Sequence, residues 1–300
     1  MKRTIIAILF LLIAFCAKGQ WLADAPLEVW RDPIDQTTHK LNVRQQTSGI
    51  YTLVVDFHHV ENMDIPRFVS AAIRRSGTIM TLHPADPDRE WNYSFASKWM
   101  PGVVNPTGVD STFVYRLPIK AGERKKARTM RNAGSDSLTV DYSGVAFDMN
   151  RGDTVYAARR GVVLYVVDEY DPAVKEDATE TGAGAETETE SETKTEASGW
   201  EYNSIDVQHD DGTIARYGSL ERGGTPVRPG TTVFAGMPIA RAGTLDGDQY
   251  RLYFNVYYQT DNLSEISSLG EHTVKYHYIE PTFGTSAGEA KLANATYYLH

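Results

Sequence analysis

One nine-residue stretch concentrates side chains able to make specific contacts. Tyr250–Tyr258 reads Y-R-L-Y-F-N-V-Y-Y. On a strand, successive side chains point to opposite faces, so Leu252, Phe254 and Val256 form a buried face. Arg251, Tyr253, Asn255 and Tyr257 then form a row on the other face. Such side chains stack on sugars and peptides and offer several hydrogen bonds, as a groove lining does. They supply no general base, nucleophile or good metal ligand. Asp148, Asp206 and His209 could serve a hydrolase, but no nucleophile, base and orienting group stand at a recognisable spacing. His58 and His59 are adjacent, and on a strand they face opposite ways, so without a bend they cannot chelate one ion together.

The elements that must position this row are strands. Short alternating runs broken by Pro, Gly, Asp and Asn fill the chain from Trp21 to about Leu117, as in I-Y-T-L-V-V-D-F-H at Ile50–His58. Pro66–Arg75 could pass for a helix, but its neighbours favour a strand. This region is expected to be a β-sandwich-like domain over 20–119. The basic run K-A-G-E-R-K-K-A-R-T-M-R at Lys120–Arg131 reads as part of a linker over 120–141, or as a patch that meets an anionic polymer or an acidic segment. Further on, G-D-T-V-Y-A-A (Gly152–Ala158) and G-T-T-V-F-A-G (Gly230–Gly236) are near copies, each a turn followed by a strand. Dense turns with no helix signal predict an all-β barrel or sandwich over 142–285, with a tail at 286–300. Inside it, residues 171–198 are Glu- and Thr-rich without aromatic residues, and that composition predicts a disordered acidic insert.

Composition bounds the functions. Lys2 and Arg3, the apolar run Ile5–Phe15 and A-K-G at Ala17–Gly19 have the pattern of a secretory signal peptide over 1–19. The expected location is periplasmic or secreted. The apolar run is too short to span a bilayer, which takes about 20 residues, and no later stretch approaches that length. Cys16 is the only cysteine and would leave with the signal. A disulfide scaffold, a thiol nucleophile and cysteine-ligated metals are thereby excluded from the mature chain. The formal net charge of −9 argues against nucleic acid as the main partner.

Several stretches together resemble the lysostaphin-like (LytM) peptidoglycan metalloendopeptidases. They are G-V-A-F-D-M-N-R-G-D-T-V-Y-A-A-R-R-G-V-V (Gly144–Val163), D-V-Q-H-D-D-G-T-I-A-R-Y-G-S-L (Asp206–Leu220) and V-R-P-G-T-T-V-F-A-G-M-P-I-A (Val227–Ala240). The resemblance spans roughly Tyr142 to Tyr258. It implies a duplicated β hybrid fold and zinc-assisted peptide hydrolysis, with ligands in His-x-x-x-Asp and His-x-His and a further histidine in Tyr-x-His-Leu. The matching positions here are Tyr142 and Ala146, Arg251 and Tyr253, and Ser219. All five depart from the pattern, so no metal site, cofactor or catalytic residue is expected. The resemblance instead implies a pseudoenzyme that binds peptidoglycan or a cell-wall amidase or other hydrolase, with Tyr142, Ser219, Arg251, Tyr253 and Asn255 as candidate binding residues. An active hydrolase with relocated residues and a purely structural β module remain as alternatives.

Overall fold

The computed structural model describes residues 26–131, 138–170, 202–246, 249–293 and 295–298. The expected signal peptide with Cys16 and the acidic insert lie outside the described residues. The first part consists of β1 (Leu27–Pro33), β2 (His39–Gln45), β3 (Tyr51–Glu61), β4 (Phe68–Ile73), β5 (Gly77–Leu82) and β6 (Asn92–Pro101). They pair as two antiparallel three-stranded sheets, β1-β2-β5 and β4-β3-β6. Both sheets contribute to one apolar core, including Leu41, Val43, Leu53, Val55, Phe57, Ile73 and Leu82. The stretch Pro66–Arg75 is indeed extended, as β4. His58 sits 3.2 Å from Asp56, and His59 bonds Ser94 where the β3–β6 register slips, so the histidine pair has structural partners.

The second part contributes β7 (Val114–Arg116), β8 (Arg124–Arg131), β9 (Thr139–Val140), β10 (Ser143–Asp148), β11 (Thr154–Tyr156), β12 (Gly161–Val167), β13 (Ser204–Gln208) and β14 (Ile214–Gly218). It continues with β15 (Thr232–Val233), β16 (Pro238–Arg241), β17 (Thr244–Asp246), β18 (Gln249–Thr260), β19 (Lys275–Ile279), β20 (Thr282–Thr285), β21 (Gly288–Lys291) and β22 (Ala295–Tyr298). Most join an eleven-stranded sheet whose main path runs β15-β12-β13-β14-β18-β10-β8-β22. Among the described residues its ends do not meet, so the fold is all-β but the sheet stays open where a barrel was one expectation. Two further stretches also differ from the sequence reading. The span expected as a linker supplies β8, an interior strand of the large sheet, and the expected tail supplies β21 and β22.

The large sheet buries one face in a core that includes Phe147, Val163, Ile205, Val207, Leu252 and Phe254. The pair β11–β16 closes over that core, and Val155 and Ile239 are fully buried there. The two repeat copies each open on a glycine in the left-handed region, Gly152 (φ 71°) and Gly230 (φ 85°), a conformation that costs other residues more. A smaller apolar cluster joins the two parts of the chain: Ile50 packs with Leu164, Ile214 and Tyr257. Beside it, Asn105 donates to the Gln259 carbonyl at 2.9 Å, and Thr52 bonds the Gly102 carbonyl at 2.8 Å.

Candidate functional site

β18 runs through the middle of the large sheet between β10 and β14, and its register decides what meets the polar row. Arg251 stands opposite Asp148, Tyr253 opposite Ala146, and Asn255 opposite Gly144. On the other side, Tyr253 faces Gly218 and Asn255 faces Arg216. Small residues, Ala146 and Gly218, therefore flank Tyr253 on both sides, and the space around it is filled by tyrosines. Tyr202 stacks on Tyr253 with ring centroids 6.3 Å apart. A methyl group at Gly218 would stand 2.4 Å from the Tyr202 ring, so glycine there is what lets that ring settle. Tyr142 packs on Tyr278 at 4.7 Å, and Tyr278 in turn lies 5.6 Å from Tyr257.

Beneath these rings lies a buried ion pair. Arg216 donates to both Asp206 oxygens, Nε to Oδ1 at 2.7 Å and Nη2 to Oδ2 at 2.7 Å. Tyr257 adds its hydroxyl to Oδ2 at 3.1 Å. This fork geometry is the strong form of a charge pair. Burial by itself would lower the Arg216 pKa, but Asp206 and Tyr257 outweigh it and raise it well above the usual value. Burial pushes the phenols of Tyr202, Tyr142 and Tyr278 upward, so they remain neutral at physiological pH.

Of the five candidate binding residues, three are buried: Tyr142 at 8%, Asn255 at 3% and Ser219 at 1% exposure. Tyr142 and Asn255 share a side-chain hydrogen bond, and Tyr253 lies close enough to act on Tyr142 electrostatically. Ser219 follows Gly218 in a left-handed conformation, φ 62°, and its carbonyl accepts from Gly243. Its Oγ and the Asn255 Oδ1 have no hydrogen-bond partner among the described residues. Only Arg251 and Tyr253 are half-buried and reach solvent. Arg251 Nε lies 3.7 Å from Asp148 Oδ1, and Arg128 reaches the other oxygen of that carboxylate at 3.0 Å. What was expected as an open groove floor is thus largely a second packed layer, with one open end at Tyr253 and Arg251. A concavity of about 370 Å³ elsewhere, lined by Thr154, Gly224, Thr225, Pro238 and Arg241, shares none of these residues.

Sequence reasoning missed Tyr202, Tyr278, Arg216 and Arg128. The signal for Tyr202 was available in the glycine of R-Y-G-S-L, which leaves a ring-sized gap on a strand. Tyr278 stands on β19, opposite Tyr257 of β18, and left no local trace.

Zinc, which the resemblance implies, takes imidazole, carboxylate or thiolate donors. At the matching positions stand a methyl group (Ala146), a guanidinium already drawn to Asp148 (Arg251), two tyrosines and a serine. These residues do not fit the ion. Asp148 lies between two guanidiniums, so it is no substitute ligand. His209, also considered, turns Nδ1 to the Arg160 carbonyl at 2.9 Å and lies in the core near Tyr115. Among the described residues, no group of three or more His, Asp or Glu is placed to hold a metal ion.

Solved structures that resemble the chain include the catalytic domain of lysostaphin from Staphylococcus simulans, 20% identical, covering 48% of this chain and 76% of that one, with a TM-score of 0.26. Another is a catalytic-domain mutant of the prophage-encoded protein EnpA from Enterococcus faecalis, 13% identical over 47% of this chain and 87% of that one, TM-score 0.30. A zinc-containing peptidase from Vibrio cholerae is 13% identical over 77% of this chain and 81% of that one, TM-score 0.26. Among curated protein sequences none matches. The model of Peptidase family M23 matches residues 141–265, the span that holds β10 to β18, so the chain carries a domain of that family.

Proposed function

We propose that this chain is an exported, catalytically inactive homologue of the peptidoglycan metalloendopeptidases that binds peptidoglycan or a cell-wall hydrolase as a regulator or scaffold. The family match supports a peptidase-like protein related to peptidoglycan. The observation that carries the inactive reading is the chemistry of the five matching positions. Ala146 has no donor atom, and Arg251 would repel a dication while its guanidinium leans on Asp148. The phenols at Tyr142 and Tyr253 are poor ligands, and burial pushes that of Tyr142 further toward its protonated form. A hydrolase with relocated residues gains no support. Asp206 is held by Arg216 and Tyr257, while His209 bonds the Arg160 carbonyl and packs near Tyr115.

The test is a paired measurement on the purified full chain. Elemental analysis after dialysis against zinc buffer should give far less than one zinc per chain, and purified sacculi should show no release of peptide. The same sacculi, with and without a wall amidase, should retain the protein in a pull-down. Stoichiometric zinc or peptide release would defeat the inactive reading. Failure to pellet under both conditions would leave a purely structural β module.

A further inference from the structure

β8 carries a pattern that the family resemblance does not explain. Over its first five residues exposed and buried side chains alternate: Arg124, Lys126 and Arg128 are exposed, while Lys125 and Ala127 are buried. Lys125 turns inward to an ion pair with Asp153, and Ala127 belongs to the main core. Arg124 and Lys126 lie where β8 pairs with β22, and Arg128 where it pairs with β10, and the alternation puts all three on one face of the sheet. The row continues sideways. Arg128 is opposite Ala146, which is opposite Tyr253, and Arg251 lies one alternation further along β18. One carboxylate already sits on this face, with Asp148 3.0 Å from Arg128 and 3.7 Å from Arg251.

Alternate residues of a strand recur every 6.7 Å or so, and the side chains along one side of any extended peptide recur at the same interval. Three like charges in that register match a peptide bearing carboxylates at every second residue. Guanidinium forks grip carboxylates in two-point contacts that a compact ammonium cannot make, and two of the three cations are arginines. A flat sheet face with this repeat also offers no pocket for a sugar ring.

We propose that the outer face of β8 is a docking strip for an extended acidic peptide segment of a partner protein, read by Arg124, Lys126 and Arg128 with Arg251 at its flank. The proposal goes beyond the wall-binding reading, since β8 holds none of the positions matched to the family's metal site. Such a strip favours complementary partners and fast encounter more than raw affinity, and its binding weakens with salt.

The test uses the full chain and two fluorescent ten-residue peptides of equal composition, one alternating Glu and Thr, the other with its glutamates in one block. The alternating peptide should bind at least about fivefold tighter, with affinity falling as sodium chloride rises. Lys126→Glu, an exposed change that removes neither partner of the Arg128–Asp148 contact, should weaken binding about tenfold, and Arg124→Glu with Arg128→Glu added should abolish it. Retention on sacculi should survive Lys126→Glu, which separates this strip from the wall-binding reading. Equal affinity for both peptides, or indifference to Lys126→Glu, would overturn the proposal. So would a tenfold gain on deleting residues 171–198, because glutamates at 186, 188, 190 and 192 have the same spacing and the chain's own segment would then be the occupant.

Discussion

Arg216 and Arg251 differ in surroundings, and that difference sets what each contributes. Arg216 and Asp206 are 8% and 6% exposed and bonded through two parallel contacts. Arg216→Leu would leave the Asp206 carboxylate buried without its partner, which costs about 3–5 kcal/mol. The double variant Asp206→Leu with Arg216→Leu removes both charges and should recover much of that loss. Urea titration of the three proteins measures it, and a double variant no better than the single would show that the pair itself, not the stranded charge, carries the stability. Arg251→Ala removes a half-exposed contact at 3.7 Å and should cost under about 1 kcal/mol. His209 adds a pH dependence. Burial pushes its pKa down to about 4, and its Nε2 has no acceptor for a second proton among the described residues. The folded form binds that proton more weakly than the unfolded chain. The stability His209 confers is therefore whole above about pH 6.5 and falls as pH drops from there toward 4. His209→Gln should flatten the decline in melting temperature between pH 7 and pH 5, and an unchanged slope would exclude this source.

Elements show which parts of the fold a sequence can reveal. The β18 alternation was legible because its inner residues are all apolar, and the two glycine-led repeats were legible because left-handed turns select glycine. β8 was not. Arg, Lys and Lys at 124–126 read as solvated, yet Lys125 snorkels to Asp153 while its chain is buried, and only Ala127 marks the inner face. The open groove was misjudged for a related reason. The row on β18 was read correctly, but what covers it comes from Tyr202, Tyr142 and Tyr278, three residues far apart in sequence. Gly218→Ala tests that cover at the element scale. The new methyl would overlap the Tyr202 ring, whose Cε2 lies 2.4 Å away, so the ring must leave Tyr253 or the strand must shift. Overpacking of this kind costs about 1–3 kcal/mol. Tyr202→Ala in the same background should restore part of the loss, and a melting temperature insensitive to Gly218→Ala would mean that Tyr202 does not rest there.

At the scale of the whole molecule, the question is whether the sandwich of β1–β6 and the large sheet unfold as one unit. Each has its own apolar core, and the cluster between them is small, with Ile50, Leu164, Ile214 and Tyr257 as its buried members. Polar contacts reinforce it at several points. Asn105 bonds Gln259 and Asp261, Lys98 donates to the His272 carbonyl at 3.0 Å, and His272 meets Asp261 at 2.7 Å with both side chains 1% exposed. Gly102 sets the approach: at φ 90° its Cα faces Leu164, whose Cδ1 would lie 3.1 Å from an added methyl. Burial of this extent gives a few kcal/mol of coupling, enough to merge two transitions of similar midpoint into one. Ile50→Asp should break the merger, because it places a charge among Leu164, Ile214 and Tyr257 with no partner among the residues of that cluster. Calorimetry of the wild type should show a single peak, and the variant should show two, the lower belonging to the smaller core. The tyrosine layer over β18 lies on the large-sheet side of the junction, so its near-ultraviolet circular dichroism should vanish with the upper peak. A single peak in Ile50→Asp at the wild-type temperature would mean that the polar clasp of Lys98, Asn105, Asp261 and His272, and not the apolar cluster, joins the two cores.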